Sequence, residues 1–154
     1  MKNKLDTAIE IGATLALGYV ITRFIRIGIT KGESMLPTFK SYRPIILDPG
    51  CYRRREPRRH DIVAFKCQRK TLLKRVIALA GEHILIEDGC VYINGERLDE
   101  PYLKEEMKAS RKIAMRVAAG TLFVLGDNRN HSLDSRKLGL IPVKDVRGVV
   151  KGWK

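Results

Sequence analysis

His83-Ile84-Leu85-Ile86-Glu87-Asp88-Gly89-Cys90-Val91-Tyr92-Ile93-Asn94-Gly95 is the stretch that decides the fold class. An apolar run over 84–86, the turn residues Glu87-Asp88-Gly89 and a second apolar run over 91–93 predict a β-hairpin, with another turn at Asn94-Gly95. Working outward, short apolar runs between turn residues recur at 44–47, 61–65 and 121–127, with a last one over 146–153. The run over 71–81 is longer. Residues 105–118 scatter Met107, Ile113 and Met115 among charges and read as a loop. The expected architecture is mainly β, with one N-terminal helix and no internal repeat.

The chain has 154 residues, 44% of them hydrophobic and 31% charged, which suits one domain with a real core and excludes a polytopic membrane protein. Its net charge of +13 points to an anionic neighbour, either nucleic acid or an acidic membrane surface. Cys51, Cys67 and Cys90, like His60, His83 and His131, are too scattered for a zinc site or a disulfide framework, so no metal and no cofactor is expected.

Residues 11–22 carry no charge, but a full membrane span needs about 20 apolar residues. Extending the window to 7–29 brings in Glu10, Arg23 and Arg26. The expectation is an uncleaved anchor over 1–30, a transmembrane helix, followed by a β-rich domain over 31–154. A buried core helix, an interfacial helix and a cleaved leader compete with it. Flanking positive charges by themselves favour a cytoplasmic domain.

Three places look over-specified for packing. Gly32-Glu33-Ser34-Met35-Leu36-Pro37-Thr38 fixes a turn around Ser34, although a serine in a turn is ordinarily only a backbone partner. Lys74, on a strand, shares a face with Leu72, Val76 and Ala78. If that face is dry, the amine loses its proton readily and becomes a base; if not, the side chain snorkels. The polar segment 126–136 offers the charge pairs Asp127 with Arg129 and Asp134 with Arg136, and the hydroxyls of Ser132 and Ser135. A serine needs a base, and a neutral lysine serves as one in Ser-Lys variants of the triad.

Four blocks in chain order resemble the bacterial type I signal peptidases: Ser-Met-Leu-Pro-Thr at 34–38, Arg-His-Asp-Ile-Val-Ala-Phe at 59–65, Lys-Arg-Val-Ile-Ala-Leu-Ala-Gly-Glu at 74–82, and Gly-Asp-Asn-Arg-Asn-His-Ser-Leu-Asp-Ser-Arg at 126–136. The resemblance implies a compact signal-peptidase-type β domain on the extracytoplasmic side of the bacterial plasma membrane. It implies a serine endopeptidase that removes signal peptides from exported preproteins through an acyl-enzyme. Ser34 is then the nucleophile, Lys74 the general base and Ser132 the partner that orients Lys74. Asp127 pairs with Arg75 and Asp134 with Arg136 as supports, and Met35 lines the substrate pocket. The Ser34 N–H supplies part of the oxyanion hole. A second donor is unassigned, because Gly32 stands where some members carry serine. His60, Ala78, Ala80, Glu82 and His131 also depart from the pattern.

The implied partners are signal peptides and the lipid bilayer, with anionic headgroups against Arg53, Arg54, Arg55, Arg58 and Arg59; an ordinary solvated loop explains those arginines nearly as well. No nucleic acid is expected. Two other readings stay open at this point. One is a different Ser-Lys protease, either a repressor-type autoprotease, whose helix-turn-helix is missing from the sequence, or a conjugation-pilus maturation peptidase. The other is a basic nucleic-acid module, which only 6% aromatic residues serve poorly.

Overall fold

The computed structural model describes residues 3–108 and 111–151. Its first element is α1 (Lys4–Phe24), 21 residues whose described side chains stay exposed. Among the described residues no helix is long and apolar enough to cross a membrane. The transmembrane helix expected over 1–30 is corrected accordingly: the helix forms, but Lys4, Asp6, Glu10 and Arg23 confine its uncharged stretch to 11–22.

Past α1 the chain is β-rich. β1 (Arg26–Ile29), β2 (Pro44–Asp48), a single turn of helix α2 (Cys51–Arg54), β3 (Ile62–Cys67) and β4 (Lys70–Ala78) come first. β5 (His83–Glu87), β6 (Cys90–Ile93), β7 (Glu96–Arg97), β8 (Ile113–Arg116) and β9 (Thr121–Leu125) follow. The short helix α3 (Ser135–Leu138), β10 (Ile141–Pro142) and β11 (Val146–Lys151) close the domain. A seven-stranded sheet runs β1-β2-β11-β3-β4-β9-β10, and a four-stranded sheet runs β7-β6-β5-β8.

The hairpin expected over 83–95 is present. Glu87 faces Cys90, and the two residues between them, Asp88 and Gly89, have φ of 49° and 77°. Two consecutive positive φ values mark the turn whose twist matches the strands it joins. Asn94 and Gly95, at 52° and 88°, repeat the device between β6 and β7. The expected loop over 105–118 is corrected in part, since β8 lies inside it and pairs with β5, Met115 facing Ile84. Ile113 and Met115 pack on the core while Ala114 and Arg116 stay exposed. Ala114 between Ile113 and Met115 makes the run Ile-Ala-Met uniformly apolar, which hides a period of two in sequence.

Two features of β4 position the site. Its register with β9 shifts between Val76 and Ala78, a bulge that reverses the alternation. Ala78 therefore packs beside Ile77 in the cluster with Phe123 and Leu125, not on the Leu72–Val76 face expected for it. In addition, β9 reaches only as far as Arg75, so from Lys70 to Lys74 the strand pairs with β3 and its other edge is open.

Gly89 allows a test of the hairpin. A Cβ there would lie 2.3 Å from the Met107 carbonyl oxygen, whereas one on Gly120, also at positive φ, meets nothing within 4 Å. Gly89→Ala should cost about 1–3 kcal/mol and Gly120→Ala about 1 kcal/mol, read as loss of thermal stability. Equal losses would show that the Met107 contact does not constrain the turn.

Candidate active site

Lys74 sits on β4 opposite Val63, with only 2% of its surface exposed. Its Nζ donates to the Ser34 hydroxyl at 2.8 Å and to the Leu73 carbonyl at 2.8 Å. Burial pushes the amine down to about 8, against the pull of the nearby Asp134 and Asp127 carboxylates. The dry alternative posed by the sequence is the one the fold adopts, and it brings together two residues 40 positions apart.

Ser34 is held by a turn that starts at Gly32, whose φ of 87° suits a residue without Cβ, and whose N–H donates to the Ser41 hydroxyl. Within the turn the Leu36 and Phe39 N–H groups donate to the Glu33 and Met35 carbonyls. Met35 packs against Ile45, Ile62 and Val150 and anchors the turn to the sheet. From the other side, the Asn128 N–H donates to the Ser34 carbonyl at 3.0 Å. Gly126 lies so close that a Cβ there would come within 2.2 Å of Ser132 Oγ and 2.5 Å of the Ser34 carbonyl oxygen.

Three buried ion pairs support this junction. Arg75 grips Asp127 with Nε at 2.8 Å and Nη2 at 2.7 Å, both side chains all but inaccessible. The Thr38 hydroxyl, from the serine turn, donates to the same carboxylate. Arg136 holds Asp134 with two bonds of 2.9 Å, and Asp134 accepts the Gly126 N–H at 3.1 Å. Burial by itself would raise the Asp134 carboxyl, but Arg136 and that N–H hold it below its ordinary value. Arg129, which the sequence offered to Asp127, instead pairs with Glu100.

Ser132 Oγ is buried beside Gly126, where it helps Arg136 hold the Asp134 carboxyl down, and it makes no bond to Lys74 among the described residues. Ser135 does not reach Lys74 either; its Oγ accepts the Val124 N–H at 2.9 Å and fastens the segment to β9. The arginine cluster is drawn partly into the fold. Arg54, Arg55 and Arg59 pair with Asp48, Asp61 and Glu82, leaving Arg53 and Arg58 without a carboxylate among the described residues.

Sequence reasoning missed Glu100 and Tyr102. The Tyr102 ring lies 4.0 Å from the Arg75 guanidinium carbon, and its hydroxyl donates to Glu100 at 2.7 Å. Both residues belong to an aperiodic segment that carries no signal of its role.

Ser34, Met35 and Lys74 open into a groove of about 630 Å³ between β1 and the open edge of β4. A family model described as "Signal peptidase, peptidase S26" matches residues 5–153.

The chain belongs to this family.

It is a serine peptidase of the S26 type. It is 34% identical to Signal peptidase I of Bacillus caldolyticus, over 93% of this chain and 84% of that protein. With Signal peptidase I V of Bacillus subtilis (strain 168) it shares 37% identity over 78% of this chain and 80% of that one. A crystal structure of a signal peptidase I from Enterococcus faecalis V583 superposes with a TM-score of 0.55 at 35% identity, covering 62% of this chain and 97% of the other. The mainly β, signal-peptidase-type fold is thereby shown.

Burial of Lys74 has a thermodynamic signature. In the folded peptidase the amine titrates near 8, against an ordinary value of 10.5, so its desolvation penalty is complete below pH 8 and disappears as the pH rises toward 10.5. Lys74→Met should be more stable than the wild type at pH 7, and this advantage should shrink by on the order of 3 kcal/mol by pH 10 in denaturant titrations. A pH-independent difference would mean that the amine is solvated.

Proposed function

We propose that this peptidase removes N-terminal signal peptides from exported preproteins through a Ser34–Lys74 dyad. The observation that carries this reading is the buried Lys74 amine, 2.8 Å from Ser34 Oγ. Neutral Lys74 takes the Ser34 proton as Oγ bonds to the scissile carbonyl carbon. The Ser34 N–H stabilises the oxyanion. Lys74 then delivers the proton to the leaving amine as the C–N bond breaks, leaving an acyl-enzyme. Water adds to the acyl carbon, gives its proton to Lys74, and Oγ departs, recovering a proton from the lysine.

In this scheme Arg75–Asp127 and Asp134–Arg136 fix the loops that carry the dyad. Ser132, whose Oγ lies beside Gly126, turns its hydroxyl toward the Lys74 amine and orients it in this scheme. Met35 lines the pocket for the residue preceding the cut. The substrate lies extended along the open edge of β4, adding a strand.

We further infer that the domain works against a bilayer on its extracytoplasmic face. Ile9, Ile11, Leu15, Leu17 and Tyr19 of α1 are each more than half exposed, a hydrophobic surface that lipid would cover. Charge gives the opposite orientation, and the family's work on exported chains outweighs it.

Ser34→Ala and Lys74→Ala, assayed as detergent-solubilised protein on a preprotein, should each lose activity by about 10³-fold or more. Retention of cleavage by both variants would eliminate the dyad. Because only the neutral amine is competent, kcat/KM should rise about tenfold per pH unit below pH 8 and level off above it. A flat profile would exclude Lys74 as the base.

A further inference from the structure

Six cations line the groove that holds Ser34 and Lys74: Arg26 on β1, Lys31 just past it, Lys66 on β3, Arg69 and Lys70 at the β3–β4 turn, and Arg147 on β11. All six are exposed, and none pairs with a carboxylate among the described residues. The chain has 17 acidic residues, yet no Asp or Glu lines this groove. A separate cavity beside β6 and β7 of the four-stranded sheet differs in character, with Asp88, Asp99, Glu100 and Glu106 beside Arg97 in its wall. The basic arginines of 53–59, by contrast, are mostly consumed by ion pairs within the fold. An unneutralised rim around a groove with low-dielectric walls focuses a positive potential into it.

We infer that this rim is a specificity element that selects peptide substrates bearing acidic side chains a few residues from the cleaved bond. The inference rests on the peptide-binding reading of the groove above. Its geometry follows from β4. Lys70 lies four residues before Lys74 on the open edge, about 13 Å away at the rise of an extended strand. A peptide paired along that edge with its scissile bond at Ser34 brings a side chain about four positions from the cut beside Lys70 and Arg69. Carboxylates there meet free cations, whereas lysine or arginine meets like charge. A groove lined by Ser34 and Lys74, with an open strand edge along its wall, fits one extended chain better than a field of lipid headgroups.

The test uses the full-length protein in neutral detergent. A set of peptides with small residues one and three places before the cut carries a single Asp, Asn or Lys, moved through positions five before to five after the bond. At low salt, the best Asp peptide should exceed its Asn counterpart about fivefold in kcat/KM, the size of one or two exposed ion pairs, and the Lys peptide should fall below both. The spread should collapse at 0.5 M salt. In the double variant Arg69→Glu, Lys70→Glu the ranking of Asp and Lys peptides should invert. Binding of the same labelled peptides to the Ser34→Ala protein reads the preference without turnover, so failure of the proposed chemistry and failure of the rim remain distinguishable. Equal binding of Asp, Asn and Lys peptides, or a ranking unchanged in the double variant, would overturn the inference. So would cation-dependent effects that arise only with vesicles containing phosphatidylglycerol, which would assign the rim to the bilayer.

Discussion

An amine kept out of water beside a hydroxyl is the constraint on which the rest of this structure turns. Taking Lys74 from 10.5 to about 8 costs the fold on the order of 3 kcal/mol at neutral pH, a large share of the stability of an ordinary small domain. That cost is borne only because β3, β4 and the turn around Ser34 close over the side chain while Ser34 and the Leu73 carbonyl accept from its tip. The same desolvation brings the amine into a range where a neutral base exists at working pH, so the local cost and the proposed catalytic capacity have one origin.

The surrounding charges hold that arrangement in place. Arg75 follows Lys74 directly and points into a second buried cluster, where Asp127, Thr38 and Tyr102 surround it. Breaking such a pair leaves a buried uncompensated charge, which is far more costly than the net worth of the intact pair. Asp127 thereby ties β4 to the serine turn through Thr38, and Asp134 ties the Gly126 backbone to Arg136. Carboxylates and guanidinium groups from distant parts of the sequence thus lock three loops at one point. Gly126 leaves room for them to meet, since any side chain there would strike Ser132 and Ser34.

Charge outside the site is distributed with equal consequence. Much of the conspicuous arginine run over 53–59 neutralises acids of the fold itself. Six of the cations left without a carboxylate line the groove, drawn from β1 and the residues just past it, β3, the β3–β4 turn and β11. A net charge of +13 says only that an anionic neighbour is favoured; where the unpaired part of it lies is a property of the folded surface.

The amino-acid sequence by itself determined the β character, the 83–95 hairpin with its two turns, the family, and the pairings of Ser34 with Lys74, Arg75 with Asp127 and Asp134 with Arg136, because turn chemistry and short motifs are local and survive without a fold. It overreached at the N-terminus, where a helix is legible from composition but no helix among the described residues is long and apolar enough to cross a membrane. It also missed β8, whose partner β5 supplies the context that four residues lack. Only tertiary structure decided that Lys74 is dry rather than snorkelling, that Arg129 turns to Glu100 rather than to nearby Asp127, and that Tyr102 stacks on Arg75. Those outcomes depend on burial and on contacts between residues tens of positions apart, and solvation of a side chain is fixed by what closes over it, not by its neighbours in sequence.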